Sequence, residues 1–265
     1  MSEREQLSHP ILIADRLWWV GHLVEDDSFQ CHAYLLENGD ESVLFDPGSL
    51  ITWDETKRKI EEILPLSSIS TVVVHHQDPD IVAALPEFVR ASGRDDLRLV
   101  THWRAAALLK HMALPMDLWN VDEHDWTMSV GGRDLRFIAT PYLHFAGAFC
   151  TFDERTGTLM SSDLCGGFSD GDALFMESEE DIDGIEAFHE HYMPSREILM
   201  NGILELESLP LKRIAPQHGR IIPEEYISLV FTRLKNLDCG LFLLQTGTAG
   251  FEMMQIYSRI MKETM

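Results

Sequence analysis

Four apolar runs of strand length each end in a histidine or an aspartate: STVVVHHQDPD delivers His76, Asp78 and Asp80, LRFIATPYLH delivers His144, TLMSSD delivers Asp163, and LKRIAPQH delivers His218. Side chains alternate between faces along a strand, but once the strand gives way to a loop, residues two apart can turn toward one point. Six imidazole and carboxylate donors suffice for two metal ions that share a bridging carboxylate. A fold that uses them must gather the ends of strands far apart in sequence. Taken singly, Asp78 and Asp80 also suit turns, His144 a solvated loop and His218 a cap. The recurrence of strand end followed by donor is what points to a site.

The remaining pattern says how such ends could be gathered. Residues 11 to 47 read as strands and turns, with a turn at Asn38 and Gly39 before SVLFDPG. ETKRKIEEIL has helical spacing and stops before Pro65, and STVVVHH is a continuous apolar run suited to a strand covered on both faces. IVAALPEFVRAS reads as a helix, RLVTH as a strand and WRAAALLKHM as a helix. From WTMSVGG to TLMSSD short strands return, followed by acidic helices between Glu179 and Leu206, then LKRIAPQHG and a helical region after Pro223. Two halves, each opening with strands and closing with helices, predict an α/β (α+β) chain folded as a four-layer αββα sandwich. The expected boundaries are a metal-binding domain over 1–222 and a helical extension over 223–265 that packs on it or forms a dimer contact.

Charge removes several functions. The chain has 21 Lys plus Arg against 44 Asp plus Glu, a formal net charge of -23, so it offers no electrostatic footprint for nucleic acid or an anionic membrane. No stretch reaches the roughly 18 to 20 apolar residues of a membrane span. MSEREQLSHP lacks the basic and apolar regions of a secretory signal, and Cys31, Cys150, Cys165 and Cys239 form no Cys-x-x-Cys pair. A cytoplasmic setting is expected.

The donor segments resemble the metallo-β-lactamase fold, and within it the diiron domain of the flavodiiron proteins. VVHHQDPDIVAALPE is similar to that family's His-x-Glu-x-Asp-His loop and the Leu-Pro-Glu helix start after it, with Asp78 at the Glu position. The 62 residues between Ile81 and His144 and the 18 between His144 and Asp163 match the family spacing, and SSDLCGGF and IAPQHG resemble its later motifs. The resemblance implies that His76, Asp78 and His144 hold one metal, that Asp80 and His218 hold the other, and that Asp163 bridges them. It also implies two iron ions, although zinc or manganese suits a donor set of this kind.

Two departures matter. Ile81 stands where the family motif has its last histidine, and cannot ligate a metal. His32, in FQCHAYLLE, is the preferred substitute, ahead of His22 and His75. Flavodiiron proteins also carry a flavodoxin domain after the metal domain, whereas only about 40 residues follow Pro223 here, so no FMN is expected in this chain. LFLLQTGTAGFEMMQ has the order of a phosphate loop, but its Met and Ile spacing fits a docking or dimer helix better.

The resemblance implies a protein that binds dioxygen or another diatomic gas, as an oxygen sensor or with slow reduction, working as a homodimer with a signalling partner or a separate electron donor. Two alternatives stay open: a dinuclear zinc hydrolase of the same superfamily, and an oxygen or nitric oxide reductase fed by another protein. Asp78 and Ile81 weigh against the hydrolase, whose loop reads His-x-His-x-Asp-His. Whether the chain is an enzyme is left open. Asp46 is expected to support the site by accepting hydrogen bonds from loop amides or a ligand imidazole. Tyr142, Phe145, Phe149, Trp18 and Trp19 are candidates for an apolar wall, with ordinary core packing expected for at least half of them, His189 and His191 for surface or subunit contacts, and Cys165 for a small buried thiol.

Overall fold

The computed structural model describes residues 6–130, 132–169, 173–241 and 243. The first half builds a seven-stranded sheet in sequence order: β1 (Ile11–Ala14), β2 (Leu17–Trp19), β3 (Tyr34–Leu36), β4 (Ser42–Phe45), β5 (Ile69–Val73), β6 (Arg98–Thr101) and β7 (Asp117–Asn120). Pairing is antiparallel through β4 and parallel from β4 to β7. The parallel part needs crossovers, which α1 (Trp53–Ile63), α2 (Pro79–Val82), α3 (Leu85–Ser92) and α4 (Trp103–Leu109) provide.

The second half builds a six-stranded sheet from β8 (Thr127–Val130), β9 (Arg133–Ala139), β10 (Phe149–Asp153), β11 (Thr158–Ser162), β12 (Arg213–Pro216) and β13 (Ile222–Pro223), in the order β13-β12-β11-β10-β9-β8. Between β11 and β12 lie α5 (Ile182–Tyr192) and α6 (Arg196–Glu207), and α7 (Glu224–Asn236) follows β13.

Strand alternation decides the layers. Val43 and Phe45 of β4 join Phe149 of β10 and Met160 of β11 in a core between the sheets. Leu44 faces the opposite way, toward Ile60 of α1 and Phe88 of α3. On the far side, Cys150 and Leu159 pack against Phe188 of α5, Ile203 of α6 and Phe231 of α7. Three apolar layers separate helix, sheet, sheet and helix, which is the αββα sandwich. Val72, Val73 and Val74 show 0% exposure, and at about 1.5–3 kcal/mol for each fully buried aliphatic side chain they explain why this run is continuously apolar.

Local differences from the sequence reading have physical causes. The single helix expected over IVAALPEFVRAS is two, because Pro86 has no amide hydrogen and lies in the first turn of α3, after Ala83 and Ala84. β7 has no counterpart in the sequence reading, because Asp117 and Leu118 are exposed on this edge strand and leave no alternating pattern. α7, within the expected 223–265 extension, packs Ile227, Val230, Phe231 and Leu234 into the outer core of the second half. The segment LFLLQTGTAGFEMMQ falls almost wholly outside the described residues. Among those described, no helix is long and apolar enough to cross a membrane.

Candidate metal centre

The ends of β5, β9, β11 and β12 emerge at one end of the sandwich, and the loops after them carry the donors. After β5, His75 is drawn inward: its amide donates to Asp46 Oδ1 at 3.0 Å, and its ring bridges Asp46 Oδ2 and Thr151 Oγ1. Asp46 itself follows β4 with φ +46, a left-handed conformation that aspartate tolerates better than most residues. With His75 held by the sheets, its successor His76 turns out toward the loop. Asp78 occupies the N-cap position of α2 without a side-chain capping bond, which leaves its carboxylate free to turn inward, Pro79 sits in the first turn, and Asp80 lies one step further on. His144 follows a cis peptide bond from Leu143. His218 precedes Gly219 at φ +77, where an added Cβ would stand 2.7 Å from the Gly167 carbonyl oxygen, so only glycine permits this close approach.

The six donors converge. His144 Nε2 lies 2.9 Å from Asp163 Oδ2 and 3.1 Å from Asp78 Oδ2, while His76 Nε2 lies 3.3 and 3.6 Å from the same two oxygens. On the other side, His218 Nε2 lies 3.3 Å from Asp80 Oδ2 and 3.5 Å from Asp163 Oδ1. Asp163 thus turns one oxygen to each group. The far nitrogens of two rings are held as well: His76 Nδ1 by Ser162 Oγ at 2.9 Å, and His218 Nδ1 by the Gln30 carbonyl at 2.8 Å. Such outer partners fix the tautomer and leave Nε2 free to ligate.

The electrostatics favour a cation. Burial opposes a charged His144 ring, but Asp163 and Asp78 outweigh it and raise its pKa to about 10. Burial likewise opposes charge on His218, and its contacts with Asp163 and Cys31 raise it well above the usual histidine range. Asp163, although burial disfavours its ionised form, is held well below the carboxylate range by His76, His144 and His218. Asp163 Oδ1 is buried without a hydrogen-bond partner, a costly state for a carboxylate oxygen that a metal ion would relieve. Three carboxylates and three imidazoles aimed inward, with that oxygen between them, fit a dinuclear metal site.

His32 does not join them. Its Nδ1 accepts from Trp19 Nε1 at 3.0 Å and its Nε2 donates to the Gly219 carbonyl, so neither nitrogen is available, and burial lowers its pKa to about 4. Its neighbour Cys31 is the residue of this segment that faces Asp80 and His218. His32→Ala should therefore leave the metal count unchanged while costing about 1–3 kcal/mol for the orphaned indole and carbonyl. Metal analysis together with a denaturation curve checks this, and loss of a metal equivalent would overturn it. His22 and His75 also lie outside both donor groups.

Other expectations need correction. His189 is buried rather than at the surface, its Nε2 accepting from the Cys165 amide at 3.1 Å and its Nδ1 donating to the Ile185 carbonyl. Asp46 accepts from a loop amide, that of His75, as one of its two expected arrangements has it, and the imidazole it also holds, the His75 ring, is not one of the donors. Of the expected apolar wall, Tyr142 is half exposed, Phe149 lies in the core between the sheets and Trp19 packs on His32. The rings that flank the donors are Phe29 and Phe188, with centroids 4.2 and 5.3 Å from His218, and Tyr192 at 5.9 Å from His144. They come from a loop before β3 and from α5, and no motif in the sequence marks them.

Comparison with known proteins agrees with this architecture. The model of the ODP family beta lactamase matches residues 29–219. Type A flavoprotein fprA of Rhodobacter capsulatus is 25% identical over 257 residues, covering 90% of this chain and 58% of its own length, so the chain spans a little over half of that relative. The structure described as the peroxy diiron species of chemotaxis sensor ODP superposes with a TM-score of 0.77 at 23% identity, covering 90% of this chain and 99% of that one. Rubredoxin oxygen:oxidoreductase from Desulfovibrio gigas superposes with a TM-score of 0.74 at 18% identity, covering 86% of this chain and 61% of that one.

Proposed function

We infer that this chain, which belongs to the ODP beta-lactamase family, is a diiron protein that binds dioxygen, as a sensor of the gas or with slow reduction rather than as a rapid oxidase. The observation that carries this reading is Asp163, whose two buried oxygens face two donor groups gathered from both sheets. His76, Asp78 and His144 would hold one iron, Asp80 and His218 the other, and Asp163 both. Iron held by these residues would supply the electrons with which a diatomic gas is bound.

The chain's own residues shape the rest. Ile81 is fully buried among apolar side chains and offers no donor at the Asp80–His218 side. Ser162 and the Gln30 carbonyl fix the rings of His76 and His218. Phe29, Phe188 and Tyr192 place apolar surface beside the donors, which limits water access and strengthens electrostatic interactions inside. Binding a gas with two electrons is complete within this site, whereas reduction of dioxygen to water takes four. Sustained turnover would therefore require a separate electron-donor protein. A cytoplasmic location, a homodimer and a downstream signalling partner belong to the same proposal.

Asp78 supports iron and gas chemistry over hydrolysis, because a carboxylate there replaces a neutral imidazole and offsets more of the charge of oxidised ions. Metal analysis of anaerobically purified protein, with an optical spectrum before and after admission of oxygen, tests the reading. Two iron equivalents and a visible band that appears on exposure are expected. A colourless protein that takes up zinc alone and cleaves a generic ester would replace this reading with the hydrolase.

A further inference from the structure

We propose that Cys31 is a metal ligand on the Asp80–His218 side of the centre, its thiolate filling the donor position that Ile81 leaves without a ligand. This deepens the dinuclear reading above and rests on it. Cys31 Sγ lies 3.9 Å from Asp80 Oδ2, the same carboxylate oxygen that stands 3.3 Å from the ligating His218 Nε2, and beside the His218 ring, whose Nδ1 is engaged by Gln30. A sulfur, a carboxylate oxygen and a ring nitrogen from these three residues lie within 4.8 Å of one another. Metal–sulfur and metal–oxygen bonds of about 2.3 and 2.1 Å at a tetrahedral angle put the two ligand atoms roughly 3.6 Å apart, so a shift of a few tenths of an ångström suffices.

A second observation points to a ligand in the same place. The Asp163 oxygen without a hydrogen-bond partner is Oδ1, the one turned toward His218, and Asp163 is 1% exposed. The donor count agrees. Besides the shared Asp163, the first group has His76, His144 and Asp78, whereas the second has only His218 and Asp80 until Cys31 completes it.

Cys31 is also held in register. The Gln30 carbonyl accepts from His218 Nδ1 at 2.8 Å, the His32 amide donates to the Gln217 carbonyl at 2.8 Å, and the His32 ring donates to the Gly219 carbonyl. Residues 30 and 32 thereby clamp 217–219 from both sides, with the thiol between them. The Gln30 carbonyl and the His32 amide are backbone groups, so they hold this register whatever the side chain at position 32. On metal binding the Cys31 thiol releases its proton to solvent and forms one metal–sulfur bond, with no electron transferred. A thiolate on one side only makes the two ions chemically unlike, and it selects iron or zinc over manganese there.

Native alkylation with iodoacetamide reads Cys31 selectively, because Cys150, Cys165 and Cys239 are buried and Cys31 alone is partly exposed. In the full chain loaded with two equivalents of cobalt(II), Cys31 should be protected from alkylation, and a sulfur-to-cobalt charge-transfer band should be present. Cys31→Ser should lose that band and bind the second equivalent at least about tenfold more weakly, while keeping the first. Two bound cobalt ions with no such band, and Cys31 alkylated as fast as in metal-free protein, would overturn the thiolate and leave the dinuclear centre standing. A wild-type chain that binds no cobalt would overturn both. The alkylation and spectral measurements need only wild-type protein, so they decide the matter even if Cys31→Ser does not fold.

Discussion

Asp163→Asn should abolish binding of both metal equivalents, not one. Asp163 is the sole donor that faces both groups, with Oδ2 2.9 Å from His144 Nε2 and Oδ1 3.5 Å from His218 Nε2. An amide of the same shape keeps one neutral oxygen but removes the charge and puts N–H bonds where a second lone pair is needed. The substitution also releases the histidines. Their raised pKa values depend on this carboxylate, so the rings fall toward neutrality while the focus of negative charge at the centre is lost. Asp78 and Asp80 remain, but Asp78 serves only the His76–His144 group and Asp80 only His218. Metal content after anaerobic loading is the measurement. Two equivalents retained by Asp163→Asn would rule out the bridging role, and retention of one would mean that the groups bind independently.

The way the site was and was not visible in the sequence follows from the same geometry. His76, Asp78, Asp80, His144, Asp163 and His218 were legible because each follows an apolar run, and parallel or crossover-linked strands of stacked sheets end on the same side. The two-half strand and helix order gave the layers for a related reason: alternation in segments such as Val43, Leu44 and Phe45 assigns side chains to one core or the other. Cys31 and His32 defeat such reading. They are neighbours before β3, only one of them faces the donors, and which one depends on hydrogen bonds to Gln217 and Gly219 from the opposite end of the chain. His189 has the sequence context of an acidic surface helix, yet it is buried because the Cys165 amide beside Asp163 needs an acceptor. The helix break before Pro86 was legible in principle, since proline cannot sit within a helix interior, but the apolar spacing on both sides obscured it.

Asp46→Ala should destabilise the protein by about 3 kcal/mol and weaken metal binding by roughly tenfold or more, although Asp46 touches no donor. The carboxylate accepts from the His75 amide and from the His75 ring, both fully buried. Each buried donor left without a partner costs about 1–3 kcal/mol. Alanine also tolerates φ +46 less well than aspartate does. The effect on the metal arises because His75 is covalently joined to His76: once the clamp at the end of β5 is lost, the ring of His76 is no longer held at its 3.3 Å approach to Asp163. Displaced outer partners of this kind typically cost 10–100-fold in affinity. Asp46→Asn separates the two consequences of losing the carboxylate. Its carbonyl oxygen can still accept from the His75 amide, and its NH2 can donate to Nδ1 if the His75 proton moves to Nε2, where Thr151 Oγ1 accepts it. Asp46→Asn should therefore keep most of the stability and both metals. Denaturation curves and metal titrations on the two variants check this. If Asp46→Ala unfolds at the wild-type denaturant concentration, the clamp does not hold the strand end; if Asp46→Asn is as damaged as Asp46→Ala, the site depends on the Asp46 charge and not on its hydrogen bonds.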